Sequence, residues 1–179
     1  MTILKKISIG IISLSLLVVG SSYLLPDTWA VERSVVINTS PLRIYPFISD
    51  LKNGWPQWSA FDFEDPNTEY TYSGTDAGLG STREWKSKKM GNGKQTIIKS
   101  DPNYGVEFKL YMPEHDFELQ GKIGFFATPE GTKVTWADWG QSGNNPFKRW
   151  MFFFMDKIMG KTFEKSLAKL KELAEGTKN

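Results

Sequence analysis

The sequence predicts an α+β domain: a curved antiparallel sheet of about seven strands wrapped around one long C-terminal helix, preceded by a single membrane-spanning helix. Three observations carry this. Residues 7–25, opening at Ile7 and closing at Leu25, contain no charge. The hydrophobic period then changes from about 3.6 to 2 and holds through six segments separated by turn residues. From Asn145-Pro146 the helical period returns and runs to about Ala174.

The bulk composition sets the frame. Of 179 residues, 40% are hydrophobic, 14% aromatic and 23% charged, as in a packed globule. Residues 1–30 differ from the rest and form an anchor or signal segment. Residues 31–179, roughly 150 residues, make one ordinary domain. A net charge of +2 is too small to argue for a nucleic-acid partner. Residues 31–145 carry 12 Lys/Arg against 15 Asp/Glu, and residues 146–179 carry 8 against 4. The last segment is therefore locally basic, which in a lysine-rich helix is ordinarily a solvated face. No cysteine is present, which excludes disulfides, a cysteine nucleophile, thiolate metal sites and lipidation at cysteine. The single histidine, His115, excludes a multi-histidine metal site, and nothing points to a cofactor.

The elements follow in order. Lys5-Lys6 precede the uncharged segment, which as a helix would span roughly 28 Å, close to the hydrocarbon thickness of a bilayer. Pro26-Asp27 ends it, with Tyr23 and Trp29 where interfacial aromatics belong. The charge order predicts a cytoplasmic N-terminus and a domain on the far, extracytoplasmic side. The competing reading is a signal peptide cleaved near Gly20-Ser21-Ser22, but the apolar run exceeds the usual core of about 7–15 residues. Residues 31–38 are β-branched and read as a strand. Ser40-Pro41 starts a helix with Ile44, Phe47 and Ile48 on one face, kept short or kinked by Pro46. Residues 51–58 form a second short helix or turn.

Six strand candidates then occupy residues 70–73, 81–87, 95–100, 106–112, 117–126 and 133–139. Their short connections demand an antiparallel meander. In the final helix Phe163, Leu167, Leu170 and Ala174 face inward, and Gly160 marks a candidate bend. A sheet gripping a helix buries both apolar faces and can leave a cavity between them.

Several runs carry a family resemblance. They are Val31-Glu32-Arg33-Ser34-Val35-Val36-Ile37-Asn38, Pro41, Ile44 to Leu51 and Trp55-Pro56-Gln57-Trp58-Ser59. Tyr72-Ser73-Gly74, Gly78-Leu79-Gly80, Gly131 to Trp136 and Phe163-Glu164-Lys165-Ser166-Leu167 continue the series. In that order they resemble the SRPBCC superfamily, and within it the START-like proteins labelled polyketide cyclase/dehydrase-like. The resemblance covers the chain from Val31 onward. It implies a helix-grip fold with a pocket for an apolar or amphipathic small molecule, and it does not imply cyclase activity. The departures are the anchor and the aromatic run of the last helix.

Alternation along strands picks out candidate residues. Val134, Trp136 and Asp138 share a face. Asp138 is then either a cavity carboxylate, as binding anchor or base with a raised pKa, or a residue at a frayed strand end in water. Arg83 and Trp85 share a face, and an inward Arg83 could pair with Asp138 or hold an acidic ligand group. Phe108 and Leu110, with Leu119 and Ile123, line two further faces. Trp55 and Trp58 flank the cavity entrance that the resemblance implies, and Phe154 belongs to the last helix. The expected ligand set is therefore Trp55, Trp58, Trp85, Phe108, Leu110, Leu119, Ile123, Trp136, Asp138 and Phe154, with Asp138 and Arg83 the only catalytic candidates. His115 reads as a surface residue in a turn, and Ser100 and Ser142 lack a neighbouring histidine, so no serine triad assembles. The glycine pairs lack a phosphate-binding context.

The six residues from Trp150 to Met155 are apolar around the whole helix circumference, flanked by Lys148, Arg149, Lys157 and Lys161. Either a lid covers its outer side or it touches the membrane. The leading functional expectation is a membrane-tethered binder of a lipid-like or aromatic small molecule. A cyclase- or dehydratase-type enzyme and an envelope-stress interaction module are the alternatives. The oligomeric state is open.

Overall fold

The computed structural model describes residues 3–176, apart from the side chain of His115, so the reading of that histidine as a surface residue lies outside the described groups. Helix α1 (Ile3–Ser22) is followed by strand β1 (Thr28–Ile37) and helix α2 (Pro41–Ser49). A 3-10 turn (Trp55–Gln57) and a short helix α3 (Ala60–Glu64) come next. Strands β2 (Glu69–Ser73), β3 (Thr82–Lys86), β4 (Gly93–Asp101), β5 (Gly105–Met112), β6 (Phe117–Thr128) and β7 (Gly131–Gln141) then form a meander. The chain closes with α4 (Pro146–Phe153) and α5 (Met155–Gly176).

All seven strands lie in one antiparallel sheet of order β1-β7-β6-β5-β4-β3-β2, with β1 returning to pair with β7. This is the expected helix-grip architecture. The inward faces follow the alternation read from the sequence: Val134, Trp136 and Asp138 on β7, and Phe117, Leu119, Ile123 and Phe125 on β6, are all buried. A bulge between Ile97 and Lys99 interrupts the β4–β5 ladder and adds to the curvature of the sheet. Helix α5 lies in the concave side through Phe163, Leu167, Leu170 and Ala174. The Phe163 ring stacks on Trp136 at 4.1 Å.

Three expectations are corrected. The first strand opens at Thr28, ahead of residue 31, and Trp29 is buried rather than interfacial. As the second residue of β1 it points inward, packing at 6.0 Å on Phe117 and 5.4 Å on Phe152. The final helix is broken at Phe154, and α5 runs unbroken through Gly160. No single straight helix can bury an apolar run that covers its whole circumference. The small size of Gly160 serves a different purpose. A β-carbon there would lie 2.0 Å from a guanidinium nitrogen of Arg33, which crosses α5 to pair with Asp156 and Glu164, each at 2.7 Å. The short helix α3 was not foreseen at all.

Candidate functional site

Between the sheet and helices α4 and α5 lies a cavity of about 530 Å³, within the usual range for small-molecule sites. Its wall is built strand by strand. Trp29 comes from β1, Arg83 and Trp85 from β3, Gln95 from β4, Phe108, Leu110 and Met112 from β5, Phe117 and Leu119 from β6, and Trp136 and Asp138 from β7. Each is an inward position of its strand. Trp55 and Phe61 close the inner end, while Phe147, Met151, Phe152 and Met155 cover the other side.

Of the expected ligand set, Trp55, Trp85, Phe108, Leu110, Leu119, Trp136 and Asp138 line this space. Trp58, Ile123 and Phe154 do not. Trp58 is fully buried behind Trp55, with its indole N–H given to the Phe47 carbonyl at 2.9 Å. Ile123 sits opposite Trp136 in the ladder, deeper in the core. Phe154 occupies the break between α4 and α5, stacked on Trp150, and is exposed. A helix-period pattern cannot place a residue that terminates the helix.

Asp138 is buried in the cavity wall rather than frayed into water. Its Oδ1 accepts a hydrogen bond from the Trp136 indole at 2.8 Å. Burial pushes its carboxyl up to about 7, which the Trp136 hydrogen bond only partly opposes. Near neutrality this group is substantially a neutral acid, able to donate as well as accept. Room for it comes from Gly121 on β6, where a β-carbon would lie 2.4 Å from Oδ1 and 2.2 Å from the Phe108 ring.

Arg83 does not pair with Asp138. The two sit on β3 and β7, four strand spacings apart, or roughly 19 Å along the sheet. Arg83 instead meets Asp62 of α3, Nη1 to Oδ1 at 3.0 Å, with both side chains buried. Its Nε donates to Gln95 at 2.8 Å. The guanidinium also lies over the rings of Trp55 (5.1 Å), Tyr70 (5.7 Å) and Trp85 (5.8 Å). Burial and the Asp62 carboxylate push the Tyr70 phenol up, so it stays protonated. The Arg83 charge is thus matched inside the protein. Asp62 escaped the sequence reading because it sits in an unforeseen helical turn, although a lone acid between Phe61 and Phe63 was the available signal.

The remaining polarity is unmatched. The indole N–H groups of Trp29, Trp55 and Trp85, all from cavity-lining rings, have no partner among the described residues. Each buried donor left so costs about 1–3 kcal/mol. The site therefore combines an apolar interior with surplus donors, the arrangement suited to an apolar molecule bearing oxygen acceptors. Among the described residues no group of acidic or histidine side chains could hold a metal ion.

Comparison with known proteins gives a consistent result. A family model described as polyketide cyclase/dehydrase and lipid transport matches residues 28–175. A Staphylococcus aureus protein of unknown function, SA2116, shares the fold with a TM-score of 0.61 at 15% identity, covering 84% of this chain and 95% of that one. The Aha1 protein of Colwellia psychrerythraea superposes with a TM-score of 0.54 at 20% identity, over 84% and 98% of the two chains. Protein MLL2253 of Mesorhizobium loti gives 0.58 at 14% identity, over 84% and 99%. Similarities this distant establish the fold alone. No curated protein matches the sequence.

Proposed function

The chain belongs to the polyketide cyclase/dehydrase and lipid transport family, and from that membership and its cavity we propose that it is a membrane-tethered binder of a hydrophobic or amphipathic small molecule. The observation that carries the reading is the cavity of about 530 Å³ with aromatic walls, surplus donors and a neutral acid. Helix α1 supplies the tether. It is long and apolar enough to cross a membrane, and its apolar side chains are exposed rather than packed into the domain. The ligand is lipid-like or aromatic, its body against Phe108, Leu110 and Leu119 and its oxygen acceptors against the indoles and Asp138.

Probe binding tests this. The detergent-solubilised full chain should bind N-phenyl-1-naphthylamine saturably at one probe per chain, read by energy transfer from the cavity tryptophans. Leu119→Trp fills the cavity and should weaken binding about tenfold or more, the ratio that corresponds to 1.4 kcal/mol. Non-saturable transfer that is equal in both proteins would refute a cavity site.

A second reading, a cyclase- or dehydratase-type enzyme, is favoured by one observation. A buried carboxyl titrating near 7 is suited to moving a proton in either direction. It differs in its consequence: the bound molecule would be recovered changed after incubation.

A further inference from the structure

We infer that α4 docks onto the bilayer spanned by α1, its aromatic edge at headgroup depth, so that the cavity mouth opens onto lipid. This rests on the tether proposed above and concerns a different surface.

The first observation is where exposed apolar side chains gather. Phe147, Met151, Phe153, Phe154 and Ile158 are all exposed within twelve residues of α4 and the start of α5. Elsewhere on the domain, large exposed apolar residues such as Leu42 on α2, Tyr111 on β5 and Phe126 on β6 fall singly on separate elements. A gathered patch marks an interaction surface in a way that scattered residues do not.

The second observation fixes the partner. Helix α4 is fastened to the end of α1. The Trp150 indole donates to the Val18 carbonyl at 3.1 Å, and Arg149 donates to the Leu25 carbonyl at 3.2 Å while lying 5.3 Å over the Tyr23 ring. Val18 precedes the helix terminus at Ser22 by about one turn, which places Trp150 roughly 6 Å inside the end of α1. If α1 spans, Trp150 and Tyr23 occupy the interfacial layer where such rings are favoured. Helix α4 cannot then stand clear of the membrane. Lys157 and Lys161, exposed beyond the break, add attraction to anionic headgroups.

The third observation links this surface to the cavity. Phe147 and Met151 both belong to the exposed patch and line the cavity. The same end of the sheet carries the start of β1 and the β5–β6 connection, where Lys148 of α4 donates to the Asp116 carbonyl at 3.0 Å. The break at Phe154 separates α4 from the helix held in the core, so α4 can follow the membrane plane.

The absence of cysteine allows a clean test. Phe153→Cys and Met151→Cys label the patch, and Tyr104→Cys labels the turn at the far end of the sheet. Each full-length variant carries one nitrobenzoxadiazole label in vesicles of phosphatidylcholine with phosphatidylglycerol. Labels at 153 and 151 should emit to the blue of that at 104 and be quenched by lipids bearing a nitroxide near the headgroup. Water-like emission at all three sites overturns the inference. A blue shift at 153 and 151 without lipid quenching also overturns it, because a protein, such as a second copy, would then cover the patch. Resistance to alkaline carbonate extraction reports the tether separately. Extraction of the chain sinks both readings, whereas retention with water-like labels sinks only this one.

Discussion

Asp62→Ala is expected to destabilise the domain by about 3–5 kcal/mol, the usual cost of leaving one member of a buried ion pair alone. The setting favours the upper part of that range. Asp62 and Arg83 are 3.0 Å apart with side chains only 5% and 7% exposed. Gln95 offers Arg83 a neutral acceptor, and the surrounding rings offer cation–π attraction, but neither supplies a counter-charge. A stability of about 5–15 kcal/mol is typical of a whole domain, so the loss is a large fraction of it. Removing both charges together, as Asp62→Leu with Arg83→Met, should restore most of the loss, since apolar replacement of a buried pair is often neutral or better. Urea unfolding of the detergent-solubilised full chain measures both. If the single substitution costs less than about 1 kcal/mol, the pair behaves like an exposed one and the cavity floor is wetter than described.

The second large effect is a dependence on pH through Asp138. Its carboxyl titrates at 3.8 in an ordinary setting and at about 7 in this cavity. The folded chain therefore holds a proton that the unfolded chain releases. This contribution to stability is fully present below about pH 4 and is lost as pH rises through 7. At about 1.4 kcal/mol per pH unit the total is on the order of 4 kcal/mol. The contribution is isolated by comparing wild type with Asp138→Asn at about pH 5 and about pH 9. Wild type should lose stability across that interval by more than the variant. Parallel behaviour would mean that Asp138 stays ionised and partnered. The same titration removes a donor from the cavity, so affinity for a ligand whose oxygen meets Asp138 should fall in parallel.

The sequence carried the fold well because its signals were local and periodic. Turn residues at Gly91-Asn92-Gly93, Asp101-Pro102-Asn103 and Pro129-Glu130-Gly131 punctuated the strands, and the period-2 pattern assigned each inward face. Those faces gave most of the cavity wall. Pairings across the sheet and between layers were not legible. Arg83 and Asp138 share the inward surface, but nothing in a strand pattern says that three strands lie between them. Asp62 enters the site only through the packing of α3 beneath β3, and Trp29 only because β1 begins three residues before its β-branched run. The helix break at Phe154 reflects competition for burial between the core, the cavity and α1, which no single-helix pattern records. The donors left free on Trp29, Trp55 and Trp85 could not be seen without knowing what surrounds each ring.

Native mass spectrometry of the full chain, released from detergent directly after purification, tests the cavity's role most directly. The expected spectrum contains, beside the bare chain, a one-to-one adduct of an apolar, oxygen-bearing small molecule. That adduct should be lost in Leu119→Trp and unchanged in mass after incubation. A bare chain alone, or adducts of equal abundance in wild type and Leu119→Trp, would contradict ligand binding in the cavity.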